Sequence, residues 1–414
     1  MRKRIPKLGL GALTDTRDHR GRRHASIVPA VRLMLLGMVA GCKGLSEVEN
    51  FLDDMSAATR RLFGLPQKLS DTTCRDMLLR LELDELRAVL HRSVAMMDKA
   101  KALAPDGLPF GVVSMDGRST ATNLWDQNDP LAQLHHSANG SAYSLVRTIT
   151  SCLVSSPART CLDMHPIPAS TNENGVFAEA FTALLSTAGH LFRLVTYDSG
   201  ANAAANAALV LAHAKHYLFR VKAEQPTIFD ECKRCLGRLT VANGHALGTE
   251  ILGGKLYTRT LWLSSKLAGW NDYPGLKCAL RLQVTIEDKV TGDVTVENRY
   301  SITSLSETAM SARGWATVLR RHWAVENNCH NTWDRLMQED KRPWVRLPRG
   351  MLRAMVLRRV AYNLLGWFRS VTQRSEQARA TPWKRLMDLI YSALEHATAE
   401  ILAHPRPLEP LACI

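Results

Sequence analysis

Three acidic residues are placed where their side chains could act together. Asp116 and Asp198 each close a short apolar run with the composition of a β-strand, and Glu326 lies in a helical pattern beside Trp323 and Val325. Carboxylate oxygens suit Mg²⁺, which keeps several waters and so needs few protein ligands. Two such ions roughly 4 Å apart can activate an attacking oxygen and stabilise a leaving one. The three acids therefore predict metal-dependent phosphoryl transfer with two Mg²⁺ ions, for which Mn²⁺ could substitute.

Each acid also has an ordinary structural explanation. An Asp followed by Gly, as in Asp116-Gly117, is common in turns, and Asp198 also precedes residues that suit a turn. A carboxylate beside Trp323, as at Glu326, is costly unless a metal ion or a nearby Arg compensates its charge. The residues taken singly leave these alternatives open.

Strands and helices that could position these acids follow from the pattern of residues 105–222. Short apolar runs and helical periodicity alternate there in the order strand, strand, strand, helix, strand, helix, strand. Asp116 and Asp198 fall at the ends of two predicted strands, where the ligand sites of open sheets collect. We therefore predict an α/β arrangement for this segment.

The segment before it, residues 1–104, has helical periodicity. Ser70 is a predicted N-cap before a helix over Thr72–Leu83, and apolar residues recur at helical spacing through Met77–Met97. A basic arm, Arg17–Arg23, precedes these helices. It contains Arg22 and Arg23, which are either DNA-backbone contacts or part of a solvated tail. We predict an N-terminal helical, DNA-binding domain.

The segments that follow differ in pattern. Residues 223–303 look mostly β, with little helix, and have four candidate strands: Arg238–Val241, Lys255–Leu263, Cys278–Ile286 and Val294–Ile302. Residues 304–375 are helical again, with one long predicted helix from Glu307 through Glu326 to about Leu336. Residues 376–414 are predicted to form a C-terminal helix and tail.

The charge balance of the chain predicts a polyanionic partner. The 414 residues include 53 Lys and Arg against 39 Asp and Glu, a formal net charge of +14. A basic surface attracts nucleic acid, although a basic protein without such a partner is the alternative. With 46% hydrophobic and 22% charged residues, the chain has a globular composition and is long enough for more than one domain.

The sequence predicts a cytoplasmic protein without a membrane partner. No secretory signal is evident, and the best apolar run, Ile27–Gly41, is short for a membrane span and contains Arg32. Nine cysteines without framework spacing fit a reducing compartment. Cys232 and Cys235 form a CxxC, but the further pair of ligands that a zinc site needs does not follow.

Basic and polar residues near the acids are candidate supporting groups. Arg320 and Arg321 could clamp a phosphate or solvate a helix face, and Lys222, at the end of a strand, could reach DNA. His322 and His330 share a predicted helix face with Glu326, so they could assist proton transfer or serve as hydrogen-bonded structural residues. A basic run from Lys341 to Arg359 is a backbone-binding segment or a solvated helix edge; its candidate contacts are Arg342 and Arg346.

Several motifs along most of the chain resemble one family. The motifs are Asp116-Gly117-Arg118, Asn172-Glu173, Val195–Asp198, Tyr217–Lys222 with Gln225-Pro226, the block of Arg320, His322-Trp323, Glu326-Asn327, His330, Asp334 and Glu339-Asp340, and Tyr362–Leu365. Together they resemble DDE transposases of bacterial insertion sequences, in particular the H-repeat-associated group. The block around Glu326 and the closing Tyr362–Leu365 are the most specific of these motifs.

The resemblance implies a fold and an activity. The fold is an RNase H-like catalytic core with an N-terminal helical domain and a mostly β insertion, and the catalytic, metal-binding acids are Asp116, Asp198 and Glu326. Arg118 is implied as a DNA contact and Asn327 as a supporting residue. The activity is metal-dependent nicking of double-stranded DNA at transposon ends and strand transfer into target DNA, by a homodimer in a synaptic complex. No small-molecule substrate is implied, and the location is the bacterial nucleoid.

The sequence departs from the wider family around its third acid. Leu319, His322 and Trp333 stand where related transposases have Tyr, Arg and Lys. The sequence therefore does not decide which arginine contacts the DNA phosphate. Two other activities are also open, namely an inactive or domesticated DNA-binding relic and a nuclease that cuts without joining.

Overall fold

A mixed ten-stranded sheet separates two layers of helices in the computed structural model, which describes residues 2–16, 26–122 and 124–403. The strands are β1 Val112–Thr122, β2 Ala132–His136, β3 Ala142–Leu153, β4 Thr160–Ile167, β5 Leu194–Tyr197, β6 His216–Val221, β7 His245–Leu252, β8 Lys255–Ser264, β9 Cys278–Asp288 and β10 Val294–Thr303. The predicted α/β class is in agreement with this architecture.

The strand order is β2-β3-β1-β5-β6-β10-β9-β8-β7, and β4 lies beside β2 along the outer edge of β3. β1 pairs antiparallel with β3 and parallel with β5, and β6 extends the parallel part. β10 joins β6 in antiparallel pairing, so the β-rich segment continues the central sheet rather than standing apart from it.

The helices are α1 Ile27–Ala40, α2 Leu45–Asp54, α3 Ala57–Phe63, α4 Asp71–Arg80, α5 Leu83–Lys99, α6 Glu173–Ala188, α7 Ala204–Ala212, α8 Pro226–Leu236, α9 Ala312–His322, α10 Asn331–Arg335, α11 Pro348–Trp367, α12 Glu376–Arg379, α13 Trp383–His396 and α14 Ala399–Ala403. Ser70 caps α4 by accepting a hydrogen bond from the Thr73 N–H, as its position before the helix predicts. The apolar spacing through Met77–Met97 is divided between α4 and α5, because Leu81 has an extended backbone.

One face of the sheet is covered by α9, α11, α13 and the N-terminal helices. α11 is buried along nearly its whole length. Asn363 on α11 pairs with both backbone groups of Cys161 on β4, at 2.9 and 2.8 Å. Buried Asp163 on the same strand accepts hydrogen bonds from Arg87 and His91 of α5, at 2.8 and 2.9 Å. The N-terminal helices therefore share one hydrophobic core with the C-terminal ones.

The other face of the sheet is covered by α6, α7 and α8. Side chains alternate along β1, so Val113 and Met115 pack in this second core. The side chains of Val112, Ser114 and Asp116 lie on the opposite face. The acid is thus placed on the face that α9 covers.

The segment from 223 to 303 differs from its prediction in three places, one of which is the unpredicted strand β7. Arg238–Val241 is not a strand, and Pro226–Leu236 forms α8, with Pro226 in the first turn, where its missing N–H costs nothing. Cys232 and Cys235 lie on the buried side of α8 and pack in the core. The apolar residues of α8 have helical spacing in the sequence, but the segments around them have the pattern of strands.

The long helix predicted around Glu326 is interrupted. It begins at Ala312, where the Ser311 hydroxyl caps the Gly314 N–H, and α9 ends at His322. A π-helical segment, Val325–His330, follows before α10. Its wider turn changes the angular spacing, so Glu326 is exposed while His330 is buried, rather than both lying on one regular helix face.

No single helix of the described residues is both long and apolar enough to cross a membrane, and only the pair α1 and α2, bent by 94°, meets such criteria jointly.

Candidate active site

Asp116 lies within β1 rather than at its end. The strand continues to Thr122 because Gly117 is extended and pairs with Ile149 of β3. The pairing of β1 with β5, however, ends at Ser114 and Thr196, so Asp116 lies just beyond the last parallel pair. The position therefore keeps the character of a strand end on the β5 side, and its side chain is 16% exposed.

Asp198 follows directly after β5, as predicted. Its Oδ1 accepts a 2.7 Å hydrogen bond from the Gly200 N–H, which is the turn chemistry that the sequence suggested as an alternative. Its Oδ2 lies 3.7 Å from the Lys222 Nζ. Gln225 stabilises the loop that follows Asp198, because its Nε2 donates a 2.7 Å hydrogen bond to the backbone oxygen of Asn202. Asp198 thus shapes its own loop and also faces the site.

Electrostatics connect the three predicted acids. Burial, together with the carboxylates of Glu326, Glu173 and Asp198, raises the pKa of Asp116 to about 8. Partial burial and Asp198 also raise the pKa of Glu326, against the opposing effect of Arg220 and Lys222. These side chains lie close enough for their charges to interact.

The carboxylates are not arranged as a closed ligand set. Within the described ranges, no group of three or more His, Cys, Asp or Glu side chains is positioned to hold a metal ion as it stands. The Asp198 side chain is 33% exposed and is held by the Gly200 N–H and Lys222, and Glu326 is exposed. Oxygen donors of this kind suit hard divalent cations, and a cation would offset the mutual repulsion of the carboxylates.

Glu173 is a further acid at the site that the sequence analysis noted only as part of a motif. It is the first residue of α6, after Asn172, whose side chain caps the Gly175 N–H at 3.0 Å. The Tyr197 hydroxyl donates to its Oε2 at 3.4 Å. The Asn-Glu motif was a possible signal, but only the fold brings α6 next to Asp198.

Two histidines support the acids without carrying charge at neutral pH. His322 Nδ1 lies 3.1 Å from Ser114 Oγ and 3.0 Å from Thr196 Oγ1, which ties the end of α9 to β1 and β5. His330 Nδ1 lies 3.4 Å from Asp116 Oδ2. Burial lowers the pKa of His322 to about 4 and that of His330 to about 3, so the contact with Asp116 is not an ion pair.

A groove of about 1120 Å³ runs from Glu326 between α9 and the β7–β10 strands. Basic side chains line it: His245, Arg259, Arg299, Arg313 and Arg320. Trp323, also in the lining, is flanked by the guanidinium groups of Arg220 and Arg299, at 4.9 and 5.7 Å from its ring centre. Glu326 is the one carboxylate among the described lining residues. Asn327 is exposed beside it at the same end.

The two adjacent arginines of α9 have different surroundings. Arg320 lines the groove. Arg321 instead donates to the backbone oxygen of Asp106 at 2.6 Å and forms an ion pair with its carboxylate at 3.1 Å, and its side chain is 15% exposed. The DNA contact predicted for Arg321 is therefore not supported by its position, because its guanidinium is engaged in the turn before β1.

Arg118 is also placed in the interior. It donates to Asp334 at 3.0 Å and to Asp340 at 2.9 Å, and its side chain is 6% exposed. This contrasts with the DNA contact that the family resemblance implied. From the sequence, Arg118 suits a DNA contact or an internal ion pair equally well. Its acidic partners are more than 200 residues away along the chain, so only the fold identifies them.

Arg118 also lies 3.5 Å from Glu339, and the ion network continues from there into the basic run from Lys341 to Arg359. Arg358 and Arg359 are fully buried and form ion pairs with the fully buried Glu339. Arg342 is exposed and pairs with Glu47 at 3.0 Å, and Arg346 is exposed. The run is thus divided between a buried ion network and the surface. Arg22 and Arg23 lie outside the described residues.

No family model and no curated protein matches the chain. Among solved structures, the chain is similar to the cryo-EM structure of the piggyBac transposase synaptic complex with hairpin DNA. The TM-score is 0.43 and the sequence identity 11%, and the match covers 99% of this chain and 79% of that chain.

Proposed function

We propose that the chain is a transposase of the DDE type, with Asp116, Asp198 and Glu326 as its catalytic acids. The observation that carries the proposal is the electrostatic coupling of these three carboxylates, which come from β1, from the end of β5 and from the π-helical segment. These carboxylates come from positions 82 and 128 residues apart in sequence, and Glu326 lies at one end of a basic groove.

The topology supports an RNase H-like core within this proposal. β1 has antiparallel neighbours on one side, β3 and then β4, and parallel neighbours on the other, β5 and then β6. The helix carrying the third acid packs on the face where the Asp116 side chain emerges. The segment between the second and third acids continues the sheet as β7–β10 and forms the far wall of the groove.

The residues of the site fit Mg²⁺ or Mn²⁺, because carboxylate oxygens are hard donors and the burial of Asp116 among other acids favours a compensating cation. Two bound ions would supply the Lewis acidity for attack on a phosphodiester by water and later by a DNA 3′-hydroxyl. Asp116, Asp198 and Glu326 would hold them. His330 orients Asp116, and Gln225 fixes the Asp198 loop.

The groove accounts for substrate binding in the proposal. Arg320 and Arg313 would contact the phosphates of duplex DNA leading to Glu326, and Lys222 would lie next to the reacting phosphate. Arg259 and Arg299 add positive charge to the groove but pair with Glu250 and Glu297, at 3.0 and 2.7 Å. Synapsis of two transposon ends would use a homodimer.

The test is incubation of the full chain with the DNA ends that flank its gene and with Mg²⁺, scoring nicking and strand transfer separately. We expect both activities, and we expect Asp116→Ala, Asp198→Ala and Glu326→Ala each to abolish them while DNA binding remains. Nicking without joining would identify a nuclease, and binding without either reaction would identify a DNA-binding relic. Full activity of any of the three variants would refute the site.

A further inference from the structure

Gly117 lacks a side chain at the point where another acid approaches β1. A Cβ at this position would overlap the Glu173 carboxylate, which occupies that space. Gly117 is extended within a paired strand, so no turn explains the glycine. The close approach of Glu173 is therefore the structural reason for a residue without a side chain next to Asp116.

Glu173 comes from the opposite side of the sheet from Glu326. It begins α6, which covers the face away from α9, and its carboxylate fills the space beside Gly117, the residue next to Asp116. A Cβ built on Gly200 would lie 3.8 Å from Glu173 Oε2 and 3.1 Å from Asp198 Oδ1, so both carboxylates border the same small residue.

We propose that Glu173 is a fourth carboxylate of the active site, admitted by Gly117, and that it holds a divalent cation together with Asp116 and Asp198. The presence of a cation rests on the proposed function. An acid at the first turn of a helix also interacts favourably with the helix dipole, so a purely structural role for Glu173 must be distinguished by experiment. Burial and the nearby Asp198 carboxylate both raise the pKa of Glu173.

The distinguishing experiment measures Mn²⁺ binding to the metal-free full chain, by the electron paramagnetic resonance signal of unbound Mn²⁺. Glu173→Gln keeps the shape and the Tyr197 contact but removes the charge. We expect it to weaken Mn²⁺ binding at least about tenfold, the loss typical for removing a group that supports a metal site. Glu179→Gln is the matched control, since Glu179 lies on the same helix and is 74% exposed; its affinity should equal that of the unchanged chain.

Melting temperatures without divalent cation give a second readout. A helix-dipole role predicts that Glu173→Gln lowers the melting temperature. A site role predicts that relief of carboxylate repulsion keeps it equal or raises it. A lower melting temperature with unchanged Mn²⁺ affinity would overturn the proposal.

Gly117→Ala tests the route by which Glu173 enters. The added Cβ should push the carboxylate away and weaken Mn²⁺ binding to a similar extent. If both changes act through one carboxylate, the double variant should bind Mn²⁺ no more weakly than Glu173→Gln alone. Additive losses would contradict the proposed route.

Asp198→Asn separates this proposal from the proposed function. Loss of Mn²⁺ binding in Asp198→Asn with normal binding in Glu173→Gln would refute the role of Glu173 and leave the three-acid site intact. Normal binding in both variants would contradict the metal site itself.

Discussion

Replacing Asp116 with Asn should change how the stability of the metal-free protein depends on pH. The pKa of Asp116 is raised from 3.8 to about 8 by burial and by the Glu326, Glu173 and Asp198 carboxylates. The folded state therefore holds this proton more tightly than the unfolded state. The stability it contributes is fully present below about pH 4 and is lost as the pH rises to about 8.

The size of the effect follows from the same pKa. One proton gives a slope of up to about 1.4 kcal/mol per pH unit, and a rise in pKa of this extent corresponds to roughly 6 kcal/mol between the two protonation states. Relaxation of the exposed Glu326 and entry of water reduce the free-energy cost of ionising Asp116 in the folded protein. We therefore expect a difference in unfolding free energy of ~2–3 kcal/mol. At pH 8.5 Asp116→Asn should exceed the unchanged chain in unfolding free energy by this amount, and at pH 4 the two should be equal.

The assay is urea unfolding in EDTA at intervals from pH 4 to 9, with Asp53→Asn as control because Asp53 is exposed on α2, away from the site. Added Mg²⁺ should reverse the order at pH 8.5 by stabilising the unchanged chain and not the variant. A pH-independent difference between Asp116→Asn and the unchanged chain would refute the reasoning.

Two further predictions concern charged residues outside the acid cluster. Glu339→Gln leaves Arg358 and Arg359 buried without their carboxylate, and should lower the unfolding free energy by ~3–5 kcal/mol in urea titrations; a loss below about 1 kcal/mol would show that the network does not hold this core. Arg320→Ala should weaken duplex DNA binding and reduce the slope of log affinity against log salt by about 1, whereas Arg321→Ala should leave the slope unchanged and lower stability by ~1–3 kcal/mol. Equal changes of slope in the two variants would contradict the difference in their surroundings.

Residue patterns predicted the buried strands of the central sheet because these are apolar, and they missed β2 and β7, most of whose residues are partly or fully exposed. The end of β5 at Asp198 is visible in the sequence, since the polar loop begins there. The continuation of β1 past Asp116 is not visible, because Asp-Gly suits a turn and only the pairing of Gly117 with Ile149 of β3 keeps the chain extended. Local preference was overridden by a partner strand.

Side-chain surroundings were predicted less well, because they depend on residues far away in sequence. Arg118 and Arg321 look as available to DNA as Arg320 does, yet both are engaged in ion pairs. The π-helical segment around Glu326 has no compositional signal either. Helical spacing predicted the neighbourhood of the third acid but not which side chains reach the solvent.

Substitution by cysteine tests most directly whether these acids bind the catalytic metal. A thiolate is a poor ligand for Mg²⁺ but an acceptable one for softer ions such as Mn²⁺. In the nicking assay, Asp116→Cys, Asp198→Cys and Glu326→Cys should be inactive with Mg²⁺, and at least one should recover activity with Mn²⁺, whereas the Ala variants should not recover. Full activity of the Cys variants with Mg²⁺ would contradict the assignment of Asp116, Asp198 and Glu326 as metal ligands.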